Sequence, residues 1–167
     1  GSAFFNRPTQ LVAKELLGSF LARKFRGELI RAMIEEVEVY DGFKDLASHA
    51  SRGETNRNKI MFGPAGNWYV YLVYGMHWML NIVTREAGYP AAILIRGVSG
   101  INGPARLTKH FHINNKLNGL ASSPGSGLWI ESSGTKISDK MVKKSARIGV
   151  GYAGSLWSSK PLRFYID

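Results

Sequence analysis

The stretch WYVYLVYGMHWMLN, residues 68–81, constrains the fold more than any other part of the chain. At first sight it is a buried strand. A strand that only filled a core would use Val, Ile and Leu, which carry no polar atoms to satisfy; this one holds three tyrosines, a histidine and two tryptophans, and breaks at Gly75 directly after Tyr74. If Tyr74-Gly75 is a hairpin tip, the glycine supplies a positive φ and Tyr74 projects from the end. Tyr71, three residues earlier, then points differently and could line a pocket at the hairpin's base. Trp68, Met76 and Trp78 are expected in the core. The plainer alternative places all of these aromatics there.

Elements on either side fit one mixed domain. PTQLVAKELLG (8–18) places Leu11, Val12, Glu15, Leu16 and Leu17 at helical spacing between Pro8-Thr9 and Gly18, a short amphipathic helix. LIRAMIEEVEVY (29–40) is rich in β-branched residues and reads as a strand. Residues 41–67 lack periodicity and form a long loop of the kind that is often functional. AAILIR (91–96) is an apolar strand ending in a charge, and GPARLTKHFHI (103–113) is a helix with Pro104 in its first turn. Residues 114–127 are rich in Asn, Ser and Gly, and GLWIES (127–132), SARIGVG (145–151) and KPLRFYI (160–166) complete a strand-rich second half. No repeat or linker divides the chain. The fold expected is α/β of the α+β type: a single domain over residues 1–167 with a largely antiparallel, curved sheet, short flanking helices and a protruding hairpin. Gly1-Ser2 reads as a cloning remnant, which leaves open a targeting segment upstream.

Lys and Arg number 22 against 12 Asp and Glu, a formal charge of +10 on 167 residues. That excess favours a polyanionic partner, nucleic acid before an anionic membrane surface, although a basic surface kept for solubility is the plainer alternative. The absence of cysteine excludes disulfides, thiolate metal sites and a cysteine nucleophile. No run is long and apolar enough for a membrane-spanning helix. Four scattered histidines without metal-ligand spacing give no metal site, and no cofactor is expected.

Three groups of residues could carry chemistry. The first is Glu35, Glu36 and Glu38 with Tyr40. Strict alternation puts Ile30, Ala32, Ile34, Glu36, Glu38 and Tyr40 on one face, so an apolar face turns acidic at its end. Burial and like charge would raise a carboxyl pKa there, and a nearby arginine would hold it ionised, which is how a general base is made. A solvated strand end is the competing interpretation. The second is the loop DLASHASRGETNRNKIMFGPAGNW, where Arg52, Arg57, Lys59, Thr55, Asn56 and Asn58 are residue types that hold phosphates and His49 is a possible acid, base or stacking ring. Simple solvation explains that loop equally well. The third is the hairpin tip, where a large ring on a basic protein could wedge between base pairs.

The segments IEEVEVYDG, ASHASRG, TNRNKIMFG, WYVYLVYGMHWMLNIV, ILIRG, ARIGVGYAG and KPLRFYI occur in the order seen in the alkyladenine (3-methyladenine) DNA glycosylase family, and the resemblance runs from FFNRPTQLVAKELLG to the C-terminus. It implies a hairpin that enters the minor groove of double-stranded DNA and a monofunctional enzyme that flips a damaged purine and hydrolyses its N-glycosidic bond with water. By motif, Glu38 resembles the general base and Arg96 the arginine that helps hold water and carboxylate. The main chain of Ile148 and Gly149 falls where the family contacts the water and a phosphate. Tyr40 and His49 resemble the rings on one face of the flipped base, Tyr71 the ring on the other, and Tyr74 the intercalating residue. Asn81 matches the pocket residue that crowds a 2-amino group, and Thr55, Arg57, Met61 and Arg106 fall among the DNA-backbone contacts. The implied protein is a monomer found with DNA, in cytoplasm or nucleoid if bacterial and in the nucleus if eukaryotic.

Extruding a base costs a few kcal/mol, less for a damaged pair. A cationic purine between electron-rich rings recovers part of it. A neutral lesion would need protonation, and no residue is assigned as general acid. Only six residues separate Arg96 from Gly103, fewer than the family pattern leads one to expect; Arg106 stands where lysine is usual, and Asn56 where proline is common. Two other possibilities compete with the hydrolase: a non-catalytic nucleic-acid-binding module, because a similar fold is appended to formyltransferases for recognition, and a lyase using a lysine Schiff base, against which no lysine falls within the pocket motifs.

Overall fold

A computed structural model describes residues 1–167. Helices α1 (Ser2–Phe5) and α2 (Thr9–Leu16) lead into β1 (Phe20–Phe25) and β2 (Glu28–Asp41). After a long loop come β3 (Trp68–Val73), β4 (His77–Val83), β5 (Ala91–Val98), β6 (Ile101–Asn102), α3 (Pro104–His110), β7 (Leu128–Glu131), β8 (Lys143–Ser145), α4 (Gly154–Ser159) and β9 (Arg163–Tyr165). The strands form one antiparallel sheet in the order β3-β4-β5-β2-β1-β7, with β6 beside β5 and β9 joining both β2 and β8. The long β2 bends the sheet: its first half pairs with β1 and its second half with β5 and β9. The mixed α/β domain with a curved antiparallel sheet is the one expected.

The core lies on one face, where Leu16 of α2, Leu21, Ile34, Trp68, Leu80, Ile82, Ile95, Phe111 and Phe164 are fully buried. Trp68 satisfies its one polar atom by donating Nε1–H to the carbonyl of Leu128 at 3.0 Å. β3 and β4 form the expected hairpin, with Val73 opposite His77. Tyr74 and Gly75 have φ of +51° and +66°, and Met76 N–H donates to Val73 O at 3.1 Å. This left-handed pair suits the twist of a tight hairpin. Met76 departs from expectation: it is 68% exposed beside the tip, because the turn carries it past the last paired residue. Trp68 is in the core, and Trp78 is half-buried against it.

Strict alternation along β2 also fails. Register slips between Ile34 and Glu36 and again between Glu36 and Val37, leaving Glu35 unpaired in β2 and Arg96 unpaired in β5. Each strand thus carries one extra residue, and the original register resumes beyond them. The core face passes from Ile34 to Val37 and Val39, and from Val98 to Ile95 and Ile93. Glu38 and Tyr40 are therefore turned to the opposite face from Ile34, against the expectation from period two.

Two loops pack over that opposite face. Residues 42–67 contain short 3-10 turns at His49–Arg52 and Lys59–Phe62. Asn58, expected among phosphate-holding residues, is buried, donating to the carbonyls of His49 and Gly53 and accepting from Thr55 N–H. The strand expected over 145–151 ends at Ser145. Beyond it the chain turns Arg147 inward onto Asp45, and Gly149 adopts a φ of +75°. The Arg147–Asp45 pair is bidentate, at 2.6 and 2.9 Å, with both side chains buried. Arg147 also donates to Val39 O and Trp157 O, tying the two loops to the sheet. Removing one partner of such a pair strands a charge out of water. Arg147→Met is expected to lower the unfolding free energy by roughly 3–5 kcal/mol, read from urea denaturation midpoints.

Candidate active site

Glu38 is wholly buried, and its carboxylate is met from three sides. Oε1 accepts the Ile148 N–H at 2.7 Å, Oε2 accepts the Tyr40 hydroxyl at 2.9 Å, and Arg96 Nε lies 3.5 Å from Oε1. The flipped pleat supplies Glu38 and Tyr40 from β2, the unpaired residue of β5 supplies Arg96, and the Arg147–Asp45 pair holds Ile148 in place. Burial pushes the Glu38 carboxyl above the ordinary glutamate range. Arg96, the Ile148 N–H, the Tyr40 hydroxyl and Arg147 pull the other way without cancelling it. The group combines a raised proton affinity with fixed geometry, so it can take a proton from a bound water.

Tyr40 separates this carboxylate from an aromatic pocket. Tyr40, His49, Met61, Tyr69, Tyr71, Asn81 and Tyr152 line a cavity of about 40 Å³. Ring centroids of His49 and Tyr71 stand 4.6 Å apart, and those of Tyr69 and Tyr71 5.1 Å. His49 Nδ1 and the Tyr69 hydroxyl are 3.1 Å apart, a hydrogen bond in which the neutral imidazole accepts or donates according to its tautomer. Desolvation and then Arg57 lower the His49 pKa, which favours that neutral form although the ring reaches the open rim of the pocket. Burial raises the phenols of Tyr40 and Tyr71 far above their usual value and that of Tyr69 to about 12, so all three remain donors. Asn81 is buried, its Nδ2 donating to Tyr69 O at 3.1 Å. The rings can stack on a planar group. The His49 and Tyr71 rings are in edge contact, so one of them must move before a planar heterocycle can lie between them.

The structure brings Glu38, Arg96, Tyr40 and Ile148 together, and gathers Tyr40, His49, Tyr71, Asn81 and Met61 around the neighbouring cavity. Met61 is buried there, its N–H donating to Asn58 O, so it faces the pocket with its side chain and not the surface. Tyr74 stands apart at the hairpin tip, 90% exposed. Thr55, Arg57, Arg106 and Gly149 are exposed outside the cavity; Arg57 donates to Leu72 O and lies 5.6 Å from the Tyr71 ring centre. Sequence reasoning missed Tyr152, whose hydroxyl donates to Ala47 O at 2.7 Å across the pocket mouth, and the Arg147–Asp45 pair. A tyrosine within the motif ARIGVGYAG was the available signal for the first; nothing local pointed to the second. No group of three His, Asp or Glu side chains converges into a cation site.

A family model described as methylpurine-DNA glycosylase matches residues 3–101 and 98–167. The two stretches meet where the chain turns from β5 to β6 through Ser99-Gly100 alone, the segment noted as short. A relative from Legionella pneumophila (strain Paris), provisionally named a 3-methyladenine DNA glycosylase, is 43% identical over 172 residues, covering 98% of this chain and 91% of its own. One from Myxococcus xanthus with the same name is 40% identical over 175 residues, covering 98% and 88%. Another so named, from Rickettsia felis, is 52% identical over 118 residues, 66% of this chain and 64% of its own. With matches spanning nearly its whole length, the chain belongs to the methylpurine-DNA glycosylase family.

Proposed function

We infer that this protein is a monofunctional DNA glycosylase that removes alkylated purines of the 3-methyladenine type from double-stranded DNA. The observation that carries the reading is the buried Glu38 carboxylate, held by Ile148 and Tyr40 beside a ring-lined pocket, in a chain whose relatives bear that activity in their names. Tyr74 wedges into the duplex from the minor groove as the damaged nucleotide swings out. Tyr40 and His49 stack on one face of the base, Tyr71 on the other, and Asn81 crowds a 2-amino group and so disfavours guanine. Thr55, Arg57, Arg106 and the Gly149 main chain grip the phosphate path; Met61, expected there too, has its N–H on Asn58 O and its side chain in the pocket lining, and is left out of that path.

Glu38 takes a proton from water held with the help of Arg96 and the Ile148 main chain. The water oxygen bonds to the anomeric carbon as the carbon–nitrogen bond breaks, and the bonding pair neutralises the positive charge of the alkylated purine. An abasic site and a free base remain. The lesion leaves as a neutral base, so no general acid is required for it.

Glu38→Gln should reduce single-turnover excision of 3-methyladenine by about 10²–10⁴-fold, the usual contribution of a general base, while lesion binding persists; full activity would remove Glu38 from the role. The wild-type rate should climb with pH to an apparent pKa above the ordinary glutamate range and then level off, because burial disfavours the ionised form. By the same sign, stability contributed by Glu38 falls as pH rises from its unfolded pKa through the raised folded one, so Glu38→Gln should gain stability relative to wild type across that window. Tyr74→Ala should weaken lesion-duplex affinity by about 10- to 100-fold, equivalent to roughly 1–3 kcal/mol of base stacking; equal affinity would count against the wedge. Borohydride treatment during turnover should trap no covalent protein–DNA adduct, and an adduct would overturn the water mechanism.

A further inference from the structure

Glu36 takes no part in the reaction described, yet it is more constrained than a solvated strand residue. Its Oε1 accepts from Arg96 Nε at 3.0 Å and from Arg163 Nε at 2.5 Å. Arg163 is braced from its other side by donating to Ser145 Oγ at 2.9 Å. The side chains of Glu36, Arg96 and Arg163 are only 15%, 13% and 21% exposed, so this charge cluster is poorly screened by water.

The sheet is built to admit it. Glu36 lies between the two register slips, opposite Gly97. A Cβ on residue 97 would stand 3.3 Å from both the Cβ and Oε2 of Glu36, so the glycine supplies space for the carboxylate. Arg96 Nε thus faces two carboxylates, Glu36 at 3.0 Å and Glu38 at 3.5 Å. A guanidinium free to choose would close on Glu38 and hold it ionised at the expense of its basicity. Glu36 takes that N–H instead.

We propose that Glu36 is a positioning residue of the reaction centre: it captures Arg96 Nε and keeps that guanidinium beside Glu38 and not upon it, while Arg163 offsets part of the charge that Glu36 presents. The role rests on the reading of Glu38 as general base. The charged and titratable groups around Glu38 are Arg96 from β5, Arg163 from β9, Tyr71 from β3, and Tyr40 and Glu36 from its own strand. Arg147 and Tyr152 face it from the loop after β8.

The test reads the Glu38 carboxyl directly, by ¹³C NMR titration of the DNA-free protein, so it does not depend on excision. Glu36→Gln should lower the Glu38 midpoint by about one pH unit or more, as Arg96 closes on the remaining carboxylate. In an Arg96→Gln background the same change should produce less than half that shift, because the effect is carried by Arg96. An unmoved midpoint, or an equal shift in both backgrounds, overturns the proposal. If Glu36→Gln does not fold, Arg163→Gln serves: it leaves Glu36 with one cation and should raise the Glu38 midpoint, whereas an unmoved or lowered midpoint overturns the assignment. In single-turnover excision Glu36→Gln should lose about 10- to 100-fold, the usual range for outer partners of a reacting group, and Glu36→Asp should recover part of it. A shifted midpoint with a fully active Glu38→Gln would leave the positioning intact and refute only the catalytic reading.

Discussion

An ionised carboxylate cannot lie among leucines and valines without partners, and this requirement organises the structure around Glu38. Had β2 kept strict alternation from Ile34, Glu38 would face the same layer as Ile34, Ile82 and Phe164. The unpaired Glu35 turns the strand over, and the unpaired Arg96 turns its neighbour over by the same amount. Both strands keep their hydrophobic contacts, the hydrogen-bond register resumes, and a carboxylate, a phenol and a guanidinium arrive together on the far face. A single bulge would have shifted every later pair by one residue. Two opposed bulges confine the change to the place where polar groups are needed.

The loop that closes over Glu38 is held by a second expensive device, the buried Arg147–Asp45 pair. Such pairs often contribute less than a hydrophobic replacement of equal volume, so stability alone does not account for one. Arg147 Nε even stays without a partner in the interior. What the pair does is geometric: it fixes Arg147, and the next residue gives its N–H to Glu38. The fold tolerates a costly ion pair and a costly carboxylate in contact with one another through a single peptide, a trade of stability for a defined site.

The hairpin, helices α2 and α3 and most strands were legible because each is written in local periodicity and turn chemistry, whereas the short α1 and α4 and strand β1 were not anticipated. Tyr74-Gly75 marked its own turn, and Pro104 the start of α3. What was hidden depends on residues far apart in sequence. A bulge is the loss of one hydrogen-bond step between Glu35 and a strand some sixty residues later, and period-two reasoning carried Glu38 to the wrong face. Arg147 reads as one more basic residue until Asp45, 102 positions earlier, is beside it. Asn58 has the chemistry to hold a phosphate, but its amide is used within its own loop. Met76 is hydrophobic in a hydrophobic stretch, and only the exact extent of the turn leaves it outside.

Tyr74 touches almost nothing in the free protein, and its backbone is already fixed in a left-handed turn by Gly75 and the Val73–Met76 hydrogen bond. Covering a side chain of this kind is worth roughly 1.5–3 kcal/mol through the apolar surface it removes from water. That free energy is uncommitted before a partner arrives, and little backbone entropy remains to be lost when it does. The tip is preorganised.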